Sequence, residues 1–146
     1  MVDRSGMVKV LVRTPFGRFE RLWATPVAGG LYRLENSLFL GYDLSYHDVV
    51  ETVSSDDGPF PVVSRVRTKS GNRTLRAHVK EGLESEKGIT VRRAINELGS
   101  TYEVANDRIL SITVPPGASL ERLCQALADH GAEFEYVDPR AATARG

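Results

Sequence analysis

The hydrophobic spacing of this chain changes period near its middle, and that change limits its possible folds more than any motif does. In the first half apolar residues alternate. Val8, Val10 and Val12 are interleaved with Lys9, Leu11 and Arg13, the period-two signature of a half-buried strand. Thr14-Pro15-Phe16-Gly17 reads as a turn, residues 19–24 as a second strand, Val27-Ala28-Gly29-Gly30 as another turn, and Leu31–Leu34 as a third strand. Residues 38–40 form a short apolar run. Val49, Val50 and Val53 open a further extended piece, which Asp56-Asp57-Gly58-Pro59 interrupts before a strand over 61–69. Many short strands with Gly and Pro between them predict a β-rich small barrel or curled sheet. Its aromatic residues Trp23, Tyr32 and Phe39 are expected to fill the core.

In the second half the spacing becomes helical. Val91, Ala94, Ile95 and Leu98 lie on one stripe, with Gly99 as the cap. Leu120, Leu123, Cys124 and Leu127 form the stripe of a second helix, which starts at Ser119 and stops at Gly131. Residues 102–104 and 109–114 read as a hairpin around Asn106-Asp107, and 134–137 as a final strand ended by Pro139. With 75–79 as the opening strand, the order is βαββαβ, the ferredoxin-like pattern. The chain is therefore expected to be α+β: a β-rich half over 1–72, a ferredoxin-like half over 73–139 and a frayed tail over 140–146. The charged segment 80–87 reads as a linker or as the loop before the first helix.

Composition narrows the function classes. Lys+Arg and Asp+Glu both total 19 over 146 residues, so the net charge is zero. A nucleic-acid binder is normally basic overall. Cys124 is the single cysteine, so no intrachain disulfide forms. No apolar run approaches the roughly 18 residues that span a bilayer, and the first ten residues lack a signal-peptide core. These features lead us to expect a cytoplasmic protein without a membrane partner.

Charge is nevertheless segregated along the chain. Asp43, Asp48, Glu51, Asp56 and Asp57 form a stretch without Lys or Arg, and Arg65, Arg67, Lys69, Arg73, Arg76 and Lys80 form one without acids. On a regular strand Arg65, Arg67 and Lys69 share a face, a cationic stripe suited to carboxylates or phosphates. Together with Arg73 and Arg76 these residues are the expected ligand- or peptide-binding site, unless the acidic stretch lies opposite and neutralises them.

Other candidates are weaker. His47 beside Asp48 suggests a tuned base, but neighbours on a strand face opposite ways. His47, His78 and His130 with Cys124 match no metal spacing, and Cys124 on a helical stripe reads as a buried, inert packing residue. No catalytic set, metal site or cofactor is expected. Lys69-Ser70-Gly71-Asn72-Arg73-Thr74 lacks the spacing of a phosphate loop and precedes a strand, so a tight turn is expected there.

Four blocks carry a resemblance: Glu20-Arg21-Leu22-Trp23-Ala24; Tyr32-Arg33-Leu34-Glu35-Asn36 with Phe39; Tyr46-His47-Asp48-Val49-Val50; and Ser70-Gly71-Asn72-Arg73-Thr74-Leu75-Arg76. In this order they resemble the bacterial domain-of-unknown-function family 4265. The chain departs from that family at Ser37, where a proline is expected, and at Asn72, where a histidine is. The resemblance implies a bacterial accessory protein and no particular reaction.

The expected function is a non-enzymatic binding protein that holds a peptide or protein partner, for instance by β-augmentation at a sheet edge. Guiding a substrate peptide in a biosynthetic cluster, or neutralising a toxin, would fit. The alternatives are a nucleic-acid or nucleotide binder using the cationic stripe, and a small enzyme using His47 or His78. A homo- or heterodimer is compatible with each.

Overall fold

A computed structural model describes residues 4–56 and 58–140. Asp57 of the acidic stretch and residues 141–146 of the tail lie outside the described residues. Five strands, β1 (Val8–Arg13), β2 (Phe19–Ala28), β3 (Leu31–Leu34), β4 (Val49–Val53) and β5 (Val62–Thr68), close into a barrel in sequence order. All neighbours are antiparallel except β1 and β5, which meet in parallel at Leu11 and Val62. The alternation in β1 works as its sequence dictates: Val10 and Val12 point inward and are buried.

The barrel core is aliphatic. It consists of Val10, Val12, Leu22, Ala24, Leu34, Leu38, Leu44 and Val50. Here the expectation of an aromatic core is corrected. Leu22 and Ala24 face inward, so period two turns Trp23 outward, where it is half-buried beneath Lys9 Nζ at 4.0 Å from the ring centre. Tyr32 packs on the margin of this cluster and Phe39 lies outside it, half-buried. β2 also runs past its expected end to Ala28. Beyond Ala24 it pairs with β3, and an irregularity between Pro26 and Ala28 accommodates the proline. The apolar run 38–40 forms no strand, and Leu38 instead plugs the barrel.

The second sheet has the order β7-β8-β6-β9, every adjacent pair antiparallel, from β6 (Arg73–His78), β7 (Thr101–Val104), β8 (Ile109–Val114) and β9 (Glu133–Asp138). Helix α1 (Glu86–Glu97) connects β6 to β7, and α2 (Leu120–Asp129) connects β8 to β9. Segment 80–87 is the loop and first turn leading into α1, with Ser85 as the N-cap. Ser119 caps α2 by accepting from Arg122 N. Gly99 and Gly131 follow the two helices at φ +85° and +76°, a conformation that favours glycine.

Both helices cover one face of this sheet. Leu75, Ala77, Leu110, Ile112 and Val114 meet Val91, Ile95, Leu123 and Leu127 in a second core. Leu120 and Cys124, expected to be buried, lie half-buried at its margin. The opposite face receives the barrel. Val137 of β9 completes the barrel core, and the long connection 35–48 between β3 and β4 is wedged into the seam. The molecule is thus an α+β structure with two sheets on a shared interface.

Candidate functional site

The four sequence blocks converge on that seam, and their polar groups hold backbone in place. The buried carboxylate of Glu20 accepts from the amides of Phe39, Leu40 and Gly41 at 2.6–2.9 Å. Asn36 Oδ1 accepts from Trp23 N, and its Nδ2 donates to Glu103 Oε1 at 3.0 Å. Asp48 is fully buried and accepts from Ser45 N, Ser70 N and Lys69 Nζ. In the turn after β5, Gly71 has φ +93° and Asn72 Nδ2 donates to Tyr46 O. A carboxylate that caps several amides replaces the water those amides would lose on burial.

The five candidate cations all have partners within the structure. Arg65 Nε donates to Glu51 at 2.9 Å and Arg67 reaches the same carboxylate at 3.6 Å. Register shifts at Val49/Val50 and Glu51/Thr52 interrupt the regular β4–β5 pairing, yet Arg65 and Arg67 share one carboxylate. Lys69 instead bridges Asp48 at 2.6 Å and Asp138 at 2.5 Å. Burial pushes the Lys69 ammonium down, but hydrogen bonds to Asp138 and Asp48 outweigh it, so its pKa lies above the ordinary lysine value. Arg73 donates to the carbonyls of Pro115 and Ala118. Arg76, 9% exposed, donates to Glu135 and to the carbonyls of Leu38 and Gly41. Glu51, Asp48 and Asp138 therefore face the basic run, and Arg76 lines a cleft.

That cleft, of about 430 Å³, lies where connection 35–48 meets β6 and β9. Phe16, Phe39, Leu40 and Ile109 make its apolar wall, Arg76 and Tyr42 its polar floor, and His78, Glu133 and Glu135 its rim. Phe16 is 65% exposed and Leu40 44% exposed. Tyr42 donates to Glu135 at 3.0 Å and its ring lies 4.9 Å from the Arg76 guanidinium. On the other face of β9 a groove of about 560 Å³ runs between Phe134 and Tyr136 and the Leu120, Cys124 and Ala128 side of α2. Cys124 Sγ lies 3.4 Å from the Tyr136 hydroxyl.

A second cleft, of about 340 Å³, is lined by Trp23, Glu35, Asn36, Tyr46, Tyr102 and Glu103. Here His47 finds a carboxylate, though not that of Asp48. Its Nε2 is 3.0 Å from Glu35 Oε1, and its ring stacks on Tyr46. Burial pushes the Glu35 carboxyl up, but hydrogen bonds from Thr25, Arg33 and His47 together bring it below the ordinary range. His47 has φ +69°, an unfavourable conformation held by its N–H bond to Leu34 O and by the side-chain contact with Glu35. His78 pairs loosely with Glu133 at 3.6 Å. Sequence reasoning missed Glu35 because the pairing follows from the register in which β3 faces β4, which the long intervening connection conceals. Among the described residues no group of three or more His, Cys, Asp or Glu could hold a metal ion, and no helix is long and apolar enough to cross a membrane.

Fold and site define an α+β protein in which a small barrel and a helix-backed antiparallel sheet meet at a polar seam, with an apolar cleft at one end. The chain belongs to the DUF4265 family, described as a domain of unknown function, whose family model matches residues 20–136. Its fold is similar to the solved structure of a hypothetical protein from Neisseria gonorrhoeae, with a TM-score of 0.74 and 16% identity over 92% of this chain and 96% of that one. No curated protein matches the chain.

Proposed function

We propose that this protein is a non-enzymatic binding protein that holds an extended segment of a peptide or protein partner in the cleft between connection 35–48 and β9. The observation that carries this reading is the clustering of exposed Phe16 and Leu40 with Phe39 and Ile109 around a cleft of about 430 Å³. Volumes of about 300–1,000 Å³ with apolar walls and a few fixed polar groups are typical of binding sites. The polar groups of the floor are engaged with one another, Arg76 and Tyr42 both on Glu135, which favours binding over catalysis.

In this reading the second sheet is a ferredoxin-like unit, supported by the order β7-β8-β6-β9 with a helix in each crossover. Its edge strand β9 supplies backbone and the barrel supplies the apolar lip. A cytoplasmic accessory role beside a peptide-processing system accords with the lone cysteine.

Selection of binders from a displayed library of random linear peptides tests the proposal. Phe16→Ser combined with Leu40→Ser should abolish capture of the selected peptides and leave the melting temperature within a few degrees, because both side chains are exposed. Undiminished capture by the double variant, or no enrichment by the wild type, would contradict it.

A further inference from the structure

Among the described residues the second sheet ends at β9, whose strand neighbour is β6. Grooves lie on both faces of this edge, one on the barrel side and one on the helix side, and Phe134 lines both. Along a strand successive side chains alternate between faces. Glu133 and Glu135 line the barrel-side cleft, while Phe134 and Tyr136 pack against the helix-side core. A strand added beside β9 would send alternate side chains into the two grooves.

We infer that the occupant is an extended partner segment alternating basic and apolar residues, which adds to β9 as a fifth strand of this sheet. The inference rests on the cleft reading above and specifies its ligand. Cross-strand neighbours share a face, and opposite charges there stabilise while like charges repel. Side chains opposite Glu133 and Glu135 are therefore Lys or Arg. Their methylene stems lie along Phe39 and Leu40, and their heads reach the carboxylates. Glu133 is the less engaged of the two acids: its side chain is 78% exposed and its contact to His78 Nδ1 is 3.6 Å. The intervening residues are apolar and enter the groove formed by Phe134, Tyr136, Leu120 and Ala128.

The same pattern disfavours a second copy as the occupant. Antiparallel pairing of β9 with itself brings like positions together. Registers centred on residue 133, 134 or 135 place a carboxylate opposite a carboxylate. A register centred on Tyr136 meets Val137, whose carbonyl already accepts from Asp43 N at 2.8 Å. Acidic side chains on an edge strand are a known guard against self-association.

The test uses the full chain and three synthetic peptides: one alternating Lys and Val, one alternating Glu and Val, and a Lys–Val peptide N-methylated at every second amide. Amide chemical shifts are followed during titration. The Lys–Val peptide should bind about tenfold tighter than the Glu–Val peptide. It should shift residues 133–136 together with Phe16 and Leu40 on one face and Cys124 and Ala128 on the other. Methylation on the ladder side should abolish binding, and Glu133→Lys, at an exposed position, should reverse the preference. Equal affinity for the Lys and Glu peptides, unimpaired binding after methylation, shifts on one face only, absence of shifts with all three probes, or a peptide-free dimer protecting the β9 amides would overturn the inference. Peptide capture distinguishes failure of strand addition from failure of the cleft. If the library-selected peptides still depend on Phe16 and Leu40, that reading stands without strand addition; if they do not, both fall.

Discussion

At the residue scale, the seam depends on buried charges that each satisfy several partners. Asp48 is the extreme case, fully buried and held by two amides and Lys69. Removing one member of a buried pair strands the other in low dielectric, at about 3–5 kcal/mol. The Lys69 side chain is 45% exposed, so water offsets part of that. Lys69→Met should therefore destabilise by about 2–3 kcal/mol in urea unfolding, and a change below about 0.5 kcal/mol would show that the node is not structural. Glu35 provides a pH test. Its folded pKa lies below the ordinary Glu value of about 4.3, so its contribution is present above that value and is lost as pH falls through the lower folded one. Glu51 and Glu81 shift the same way, but they are solvent-facing and screened by salt. At high salt, Glu35→Gln should flatten the acid limb of the stability curve relative to wild type. Parallel acid limbs in the two proteins would contradict the assignment.

The helices and strands of the second half were the most legible in the sequence. Stripe and terminal glycine agree for both helices and the Ser119 N-cap for α2, and Leu123 and Leu127 are buried as the spacing requires. Leu123→Ala should cost about 2–5 kcal/mol by transfer and cavity terms, and a loss below about 1 kcal/mol would contradict its place in the core. Gly88 was not singled out by sequence, yet a Cβ there would lie 2.3 Å from Gly82 O and 2.5 Å from Leu83 Cα. Alanine usually favours a helix interior by about 1 kcal/mol over glycine. At this position Gly88→Ala should instead destabilise α1 by about 1–3 kcal/mol, as measured by chemical denaturation; a stabilising change would show that the loop yields freely. The barrel was legible as strands but not in detail. Period two places Trp23 opposite Leu22 and Ala24, and in this narrow barrel strand alternation outweighs aromatic size. Local sequence does not announce the bulges in β4–β5 pairing, nor that Lys69, just past the end of β5, turns to Asp48 and Asp138 while Arg65 and Arg67 share Glu51.

At the scale of the whole molecule, the cleft was hardest to see because it belongs to neither half. Its walls come from residues far apart in sequence, Phe16, Leu40, Ile109 and Phe134, which no periodicity connects. The same interleaving couples the two sheets. Val137 belongs to the barrel core, Glu103 holds Asn36 and Ser37, and Arg76 holds the carbonyls of Leu38 and Gly41. Trp23 is the single tryptophan and reports on the barrel, whereas helical circular dichroism reports on α1 and α2. The two signals should lose amplitude at one denaturant midpoint, and separate midpoints would show that the seam is weak.

In the proposed function the cleft beside β9, and not the basic run along β5, receives the partner. Amide-shift mapping of a library-selected peptide on the full-length protein tests it most directly. Shifts should centre on Phe16, Leu40, Glu133 and Phe134, with Arg65 and Arg67 unmoved. Shifts centred on Arg65, Arg67 and their partner Glu51, with the cleft silent, would contradict it.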